Sequence, residues 1–304
     1  MLLTIDVGNT QTVLGLYEAD AAVSAADAGL VDHWRVRTDH DRTSDEHAVL
    51  IRNLLRQSGR DLEETVTGLA MCSGVPRVLA SLREMVDRYI DFEPVIIEPG
   101  VKTGMPILYD NPREVGADRI ANAVGAYDLY GGPTVVVDFG TGNNFDVISA
   151  DGEFMGGAIA PGVEISLDAL FGRAAALRAV ELVEPRSVIG KSTVESLQSG
   201  AVFGFAAEID GMVNRFRDEL GSCTVVATGG LAHIIAPVAS TIEHVEPFLT
   251  LHGLRLVYER NRCAEPAACH PASSRRPLRQ LSRPSTPAWP TARSPVSWLR
   301  WPAA

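Results

Sequence analysis

Two aspartates occupy matching places in the chain. Residues 4–16 read TIDVGNTQTVLGL and residues 136–148 read VVDFGTGNNFDVI. Each is an apolar strand running into Asp-x-Gly, a turn of Asn, Thr or Gly, and an apolar return strand. Gly8 and Gly140 let backbone N–H groups approach a polyanion closely, and Asn9, Thr10 and Thr141 add side-chain donors. Carboxylates just ahead of such turns, Asp6 and Asp138, can hold a hydrated Mg²⁺ or a monovalent cation that offsets phosphate charge. One such segment would read equally well as an ordinary hairpin. The pair, with a third glycine turn at TGG (228–230), points to phosphate binding between two lobes of similar build.

Between the repeats lies YDNPREVGADRIANAVGA, residues 109–126. Gly116, Asp118 and Arg119 fall early in a helix, where the macrodipole favours an ionised carboxylate. An ionised Asp beside an Arg could accept a hydroxyl proton while the Arg holds polar groups of a substrate. Spacing alone also allows a surface Asp-Arg pair. Other nucleotide motifs fail: Gly140-x-Gly142 lacks the third glycine and runs into strand-like FDVIS, and Gly190-Lys191-Ser192 has Pro185 where a P-loop needs Gly. Residues 1–261 contain only two lysines, Lys102 and Lys191, so backbone, hydroxyls and cations must hold the phosphates. Cys263, Cys269 and His270 lack a fourth partner at zinc-site spacing.

The elements that position these groups follow from periodicity. LLTIDV (2–7) and TVLGLY (12–17) predict a hairpin, and VDHWRVR (31–37) a further strand. Thr43 and Glu46 form a capping-box pair ahead of a helix, and Ser192 and Glu195 another. Residues 66–72, 94–97, 134–139, 145–149 and 224–230 predict strands. Helices are predicted over residues 79–89, from about 112 to 130, and after 192.

Charge divides the chain unevenly. Residues 262–304 carry seven Arg against one acid, Glu265, a net of +6 that leaves −17 for residues 1–261. The same stretch holds 8 of the 18 prolines and 3 of the 4 tryptophans, a composition that predicts a disordered appendage. An acidic body argues against nucleic acid as a partner. The N-terminus has no signal-peptide pattern, and no run approaches the ~18 apolar residues of a membrane span, so a cytoplasmic location with no membrane partner is expected.

The segments DVGNT, Y-x-N-P-x-x-V-G-A-D-R, DFGT, GGAIAPG (156–162) and GKSTVESLQSG (190–200), in that order, resemble type III pantothenate kinase over residues 1–261. The resemblance implies an α/β fold of two ribonuclease-H-like, actin-like ATPase lobes with the nucleotide between them: 1–115 with the first phosphate loop, and 116–261 with the second. It implies ATP-dependent phosphorylation of pantothenate to 4'-phosphopantothenate, the first step towards coenzyme A. Mg²⁺, a monovalent cation (K⁺ or NH₄⁺) and a homodimer are implied with it. Asp6, Val7, Gly8, Asn9, Thr10, Gln11, Thr12 and Val13 would then form the first phosphate loop, with Asp6 near Mg²⁺. Tyr109, Gly116, Ala117, Asp118, Arg119 and Thr193 would contact pantothenate, with Asp118 as base. Asp138 would bind the monovalent cation and Thr141 the ATP phosphates.

Two departures stand out. Gly142-Asn143-Asn144 replaces the family's small and Thr residues, and its asparagines are expected to donate to phosphate in a tuned loop; Arg178 follows Leu177 where the family often has proline. A weak or silent paralogue, using the nucleotide-binding fold as a regulatory module, is the alternative. Residues 262–304 carry none of the matched segments, so deleting them is expected to leave turnover intact. A large loss of turnover in that truncation would contradict this.

Overall fold

The computed structural model describes residues 1–18, 25–174 and 177–262. Beyond Arg262, the basic appendage lies outside the described residues. The first hairpin forms as β1 (Leu2–Val7) and β2 (Gln11–Tyr17), with Val7 opposite Thr12. Next come β3 (Leu30–Arg37), α1 (Ser44–Gln57), the single turn α2 (Leu62–Thr65), β4 (Gly68–Ser73), α3 (Pro76–Tyr89) and β5 (Val95–Ile96). Past a Pro/Gly-rich connection lie α4 (Ala117–Tyr130), β6 (Thr134–Phe139), β7 (Gly142–Ile148) and β8 (Phe154–Pro161). The chain continues through α5 (Val163–Arg173), α6 (Thr193–Leu220), β9 (Thr224–Gly229), the short α7 (Ala232–Ile235), β10 (His244–Val245) and α8 (Leu249–Arg262).

The two sheets share one topology. Their orders are β3-β2-β1-β4-β5 and β8-β7-β6-β9-β10. In each, the first strand pairs antiparallel with the second and parallel with the fourth. The doubled Asp-x-Gly hairpin is therefore the sequence trace of a doubled ribonuclease-H-like lobe, the α/β architecture of actin-like ATPases.

Local chemistry explains most of the element ends. Thr43 and Glu46 cap α1 reciprocally. At α6 only half of that arrangement forms: the Ser192 hydroxyl accepts from Glu195 N–H, but the Glu195 carboxylate accepts from Lys191 N–H and pairs with Arg186. The helix expected from residue 112 begins later. Pro112–Glu114 make a single 3₁₀ turn, and extended backbone at Val115 and Gly116 separates it from α4. β8 was hidden in the sequence by Gly156-Gly157, and α5 by its proximity to Pro161-Gly162.

Strand alternation sorts the side chains into layers. Leu3, Ile5 and Val7 pack with Ile51 and Leu55 of α1 and Leu82 and Met85 of α3. Val135, Val137 and Phe145 pack with Ile209 and Val213 of α6. The opposite faces of both sheets share a third cluster, in which Leu2, Cys72 and Val136 meet α4 and α8. These two helices cross closely because their contact residues are small. A Cβ on Gly253 would lie 1.9 Å from the Ala121 carbonyl oxygen, and one on Gly125 would lie 2.9 Å from that of Leu249. Gly253→Ala is thus expected to force the helices apart and to cost about 2 kcal/mol or more. Urea denaturation checks this, and an unchanged midpoint would contradict it.

Candidate active site

Asp6 and Asp138 occupy equivalent places near the ends of β1 and β6, on the sheet faces that α4 and α8 cover. The first turn is held by residues 38–40, just past β3. The Thr38 hydroxyl donates to the Gly8 carbonyl at 2.8 Å and lies 2.9 Å from the Thr12 hydroxyl, while a His40 ring nitrogen sits 3.1 Å from the Asn9 carbonyl. The Thr10 and Thr141 hydroxyls are 3.4 Å apart, so the two phosphate-type turns face one another. Opposite Phe139 stands Asn143, whereas Val7 faces Thr12, so the second turn is one residue shorter. That shift puts Asp146 where the first lobe has Gly15, opposite Val136 as Gly15 is opposite Thr4.

The start of α4 supplies the third carboxylate. Gly116 caps the helix, and a Cβ there would lie 2.5 Å from Asp118 Oδ1. A side chain there would push aside that carboxylate, which accepts from Arg119 N–H at 2.9 Å. The Arg119 guanidinium is buried: its Nε and Nη2 reach Asp146 Oδ1 at 2.7 and 2.6 Å, and its Cζ lies 5.5 Å from the Phe154 ring centre. Burial alone would lower the Arg119 pKa, but Asp146 and the Tyr109 hydroxyl beside it raise it instead. Removing one partner of such a buried pair strands the other charge, so Arg119 and Asp146 act as a unit.

Like charge is concentrated here. Asp6 is half-buried and its carboxyl is pushed up to about 7, first by desolvation and then by Asp118 and Asp138; a 3.2 Å hydrogen bond from Cys72 Sγ opposes this. Desolvation and Asp118 push Asp138 up to about 6, against a 3.0 Å hydrogen bond donated by Asn122 Nδ2. Asn122 is held in turn by the Thr250 hydroxyl of α8, which donates to its Oδ1 at 2.7 Å. Burial pushes Asp146 up to about 7 in spite of Arg119. Among the described residues, no three His, Cys, Asp or Glu side chains form a metal cage. Hard oxygen donors at Asp6 and Asp138, beside turns fit for phosphate, suit a cation shared with a bound polyphosphate, which is the usual way Mg²⁺ is held.

The residues singled out in the sequence do not all converge. Asp6, Asp118 and Asp138 feel one another's charge, and Thr10 meets Thr141. Tyr109 stands beside Arg119, its ring 3.5 Å from where a Cβ of Gly156 would be. Ala117 fills the first turn of α4. Val7 turns its side chain into the α1–α3 core, so it, like Gly8, can offer only backbone to a ligand. Thr12 bonds Thr38, Gln11 accepts from Arg35, and half-buried Val13 faces the helix layer. Thr193 stands apart, exposed on the first turn of α6, whose Ile209 and Val213 pack on the second sheet.

Asn143 departs from expectation. It is fully buried on the α6 face of β7 beside Glu208, so of the two asparagines only Asn144 shares the face of Asp138 and Asp146. Asp146 was missed in the sequence because FDVI reads as plain strand; its alternation with Asn144 was the available signal.

Residues 2–215 match the family model described as type III pantothenate kinase. The chain belongs to that family. It is 55% identical to the type III pantothenate kinase of Streptomyces avermitilis over 86% of this chain and 98% of that one. Identity to the Frankia alni enzyme of the same name is 56%, over 86% of this chain and 100% of that one. For the Rhodococcus erythropolis enzyme it is 53%, over 91% and 100%. Among solved structures, a conserved Baf family protein from Campylobacter jejuni superposes with a TM-score of 0.52 at 18% identity, covering 86% of this chain and 99% of that one. A ROK family protein from Streptococcus pneumoniae in complex with sucrose gives 0.50 at 14%, covering 86% and 99%. These two likenesses support the two-lobe fold alone.

Partial burial of Asp138, with Asp118 near it, makes the stability of the ligand-free fold depend on pH. Its folded pKa of about 6 lies above the ordinary 3.8, so its ionised form penalises the folded state. The penalty is absent near pH 4, grows as pH rises, and is complete above about pH 6. Asp138→Asn, whose Oδ1 can still accept from Asn122, is therefore expected to raise the melting temperature of the ligand-free protein at pH 8, by up to about 3 kcal/mol of stability. The gain should vanish near pH 4. An equal gain at both pH values would contradict the assignment.

Proposed function

We propose that the cleft between the two hairpins transfers the γ-phosphoryl group of ATP to the primary hydroxyl of pantothenate, with Asp118 as the base. The convergence of Asp6, Asp118 and Asp138 on one site, within a chain of this family, carries the reading. Backbone N–H groups of both turns and the Thr10 and Thr141 hydroxyls hold the phosphates, and Asp6 is the Mg²⁺ ligand. When bound, Mg²⁺ draws charge from the phosphate oxygens. Asp138 takes the monovalent cation, K⁺ or NH₄⁺.

Asp118 accepts the hydroxyl proton as the pantothenate oxygen bonds to the γ-phosphorus. The bond from that phosphorus to the β–γ bridging oxygen breaks, and ADP leaves. The transition state of such a transfer is loose, so position and charge do most of the work. Arg119, locked by Asp146 and Phe154, and Tyr109 form the wall of the pantothenate pocket with Gly116 and Ala117. The division between residues 115 and 116 is the boundary between the lobes.

We read the enzyme as a cytoplasmic homodimer. No helix among the described residues is long and apolar enough to cross a membrane, and the free thiols of Cys72 and Cys223 are buried. Met155, Ile159, Ile165, Leu170, Val188 and Ile189 are exposed on consecutive elements. An apolar surface of that kind supports a partner subunit. Thr193 adjoins it, which supports a contact with the substrate held by the partner. The silent-paralogue alternative draws less support, because Asn143 lies outside the phosphate turn and Asp6, Asp118 and Asp138 are all present.

The test is a coupled ADP-release assay, with and without pantothenate, in potassium and in sodium buffers. Pantothenate-stimulated, potassium-dependent turnover is expected. In Asp118→Asn, turnover should fall by roughly 10²–10⁴, the usual contribution of a general base. Near-wild-type turnover in that variant would remove Asp118 from the role.

A further inference from the structure

The two lysines of the body lie away from the phosphate turns: Lys102 pairs its backbone with Asn261 at the end of α8, and Lys191 precedes α6. Arg119 is consumed by Asp146. Arg35 brings a guanidinium to the first phosphate turn. Arg35 lies on β3 opposite Val13, and its neighbours Trp34 and Val36 pack towards α1 and α3, so alternation turns Arg35 to the cleft face. It is exposed, and among the described residues it forms no ion pair. Its Nη1 donates to Gln11 Oε1 at 2.8 Å, beside the first phosphate turn. The same nitrogen lies 3.6 Å from where a Cβ of Gly230 would be, in the glycine turn that ends β9. Arg35 thus spans from the first lobe to the third glycine turn, which belongs to the second.

We propose that Arg35 is the protein's own cation for the nucleotide, donating to the polyphosphate between the Gln11 turn and the Gly229-Gly230 turn. A fork of N–H donors suits phosphate oxygens, and a site walled by Asp6, Asp118 and Asp138 would otherwise repel a polyanion. The neutral Gln11 amide holds the guanidinium in place without discharging it. Because Arg35 contacts the phosphate chain and not pantothenate, it affects nucleotide affinity alone. The inference rests on the cleft being the ATP site.

The test is calorimetric titration of Mg·ATP and Mg·ADP, without pantothenate, into the wild type and into Arg35→Gln, Arg35→Lys and Arg37→Gln. Arg37 lies two residues along the same strand face, opposite Gln11, and serves as a control for long-range charge. Arg35→Gln should weaken both nucleotides about tenfold or more, roughly 1.4 kcal/mol. Arg35→Lys should recover part of that loss, and the KM for pantothenate at saturating ATP should stay within twofold of wild type. A smaller loss in Arg35→Gln, or an equal loss in Arg37→Gln, would overturn the proposal. If the wild type binds Mg·ATP but shows no pantothenate-stimulated ADP release, the pantothenate reading fails while the assignment of Arg35 is still decided by the titrations.

Discussion

The structure depends on holding half-buried carboxylates of like charge together, at a cost set by desolvation first and repulsion second. Asp6, Asp118 and Asp138 come from three separate elements and meet where each is half-buried. Asp6 and Asp138 ionise less readily here than in water. The fold keeps them together because each is fixed from outside the cluster: Asp6 by Cys72, Asp138 by Asn122, and Asp118 by the amide of Arg119 and the space that Gly116 leaves open. A site held in this state is short of positive charge, and a metal ion with a nucleotide supplies both that charge and its counter-anion. Electrostatics arranged before the substrate arrives need no reorganisation during the reaction.

The crossing of α4 and α8 makes that arrangement possible. Ala121, Gly125 and Gly253 let the two helices touch backbone to backbone, and this draws the sheets close enough for Thr10 to reach Thr141. The same crossing carries a hydrogen-bond chain from Thr250 through Asn122 to Asp138, so the orientation of that carboxylate depends on α8. α8 also packs on β1 and β4 of the first sheet. One helix therefore ties the last residues of the body to the first hairpin and to the carboxylate of the second.

Much of this was legible in the sequence because it is local. The strand–Asp–Gly spacing at Asp6 and Asp138, the cap at Thr43 and the early-helix place of Asp118 each depend on fewer than ten residues. The illegible part depends on contacts between distant segments. Asp146 looks like an interruption in an apolar strand until α4 brings Arg119 onto it. Asn143 follows the turn in sequence but belongs to the core by alternation, because the second hairpin is one residue tighter than the first. Arg35 belongs to an unremarkable alternating strand, and its neighbour Gly230 is far along the chain. The substrate itself came from the resemblance, since nothing in the spacing of these residues distinguishes pantothenate from another alcohol.

Asp6 and Asp138, partly protonated in the free site, are expected to lose protons to solvent as a cation and nucleotide bind. Calorimetry of Mg·ATP binding in potassium, repeated at pH 6.5 in buffers of different ionisation enthalpy, measures that exchange directly. With Asp6 near 7 and Asp138 near 6, these two carboxyls together hold about one proton at that pH, and binding should release about that amount. Proton release indistinguishable from zero at pH 6.5 would contradict the account.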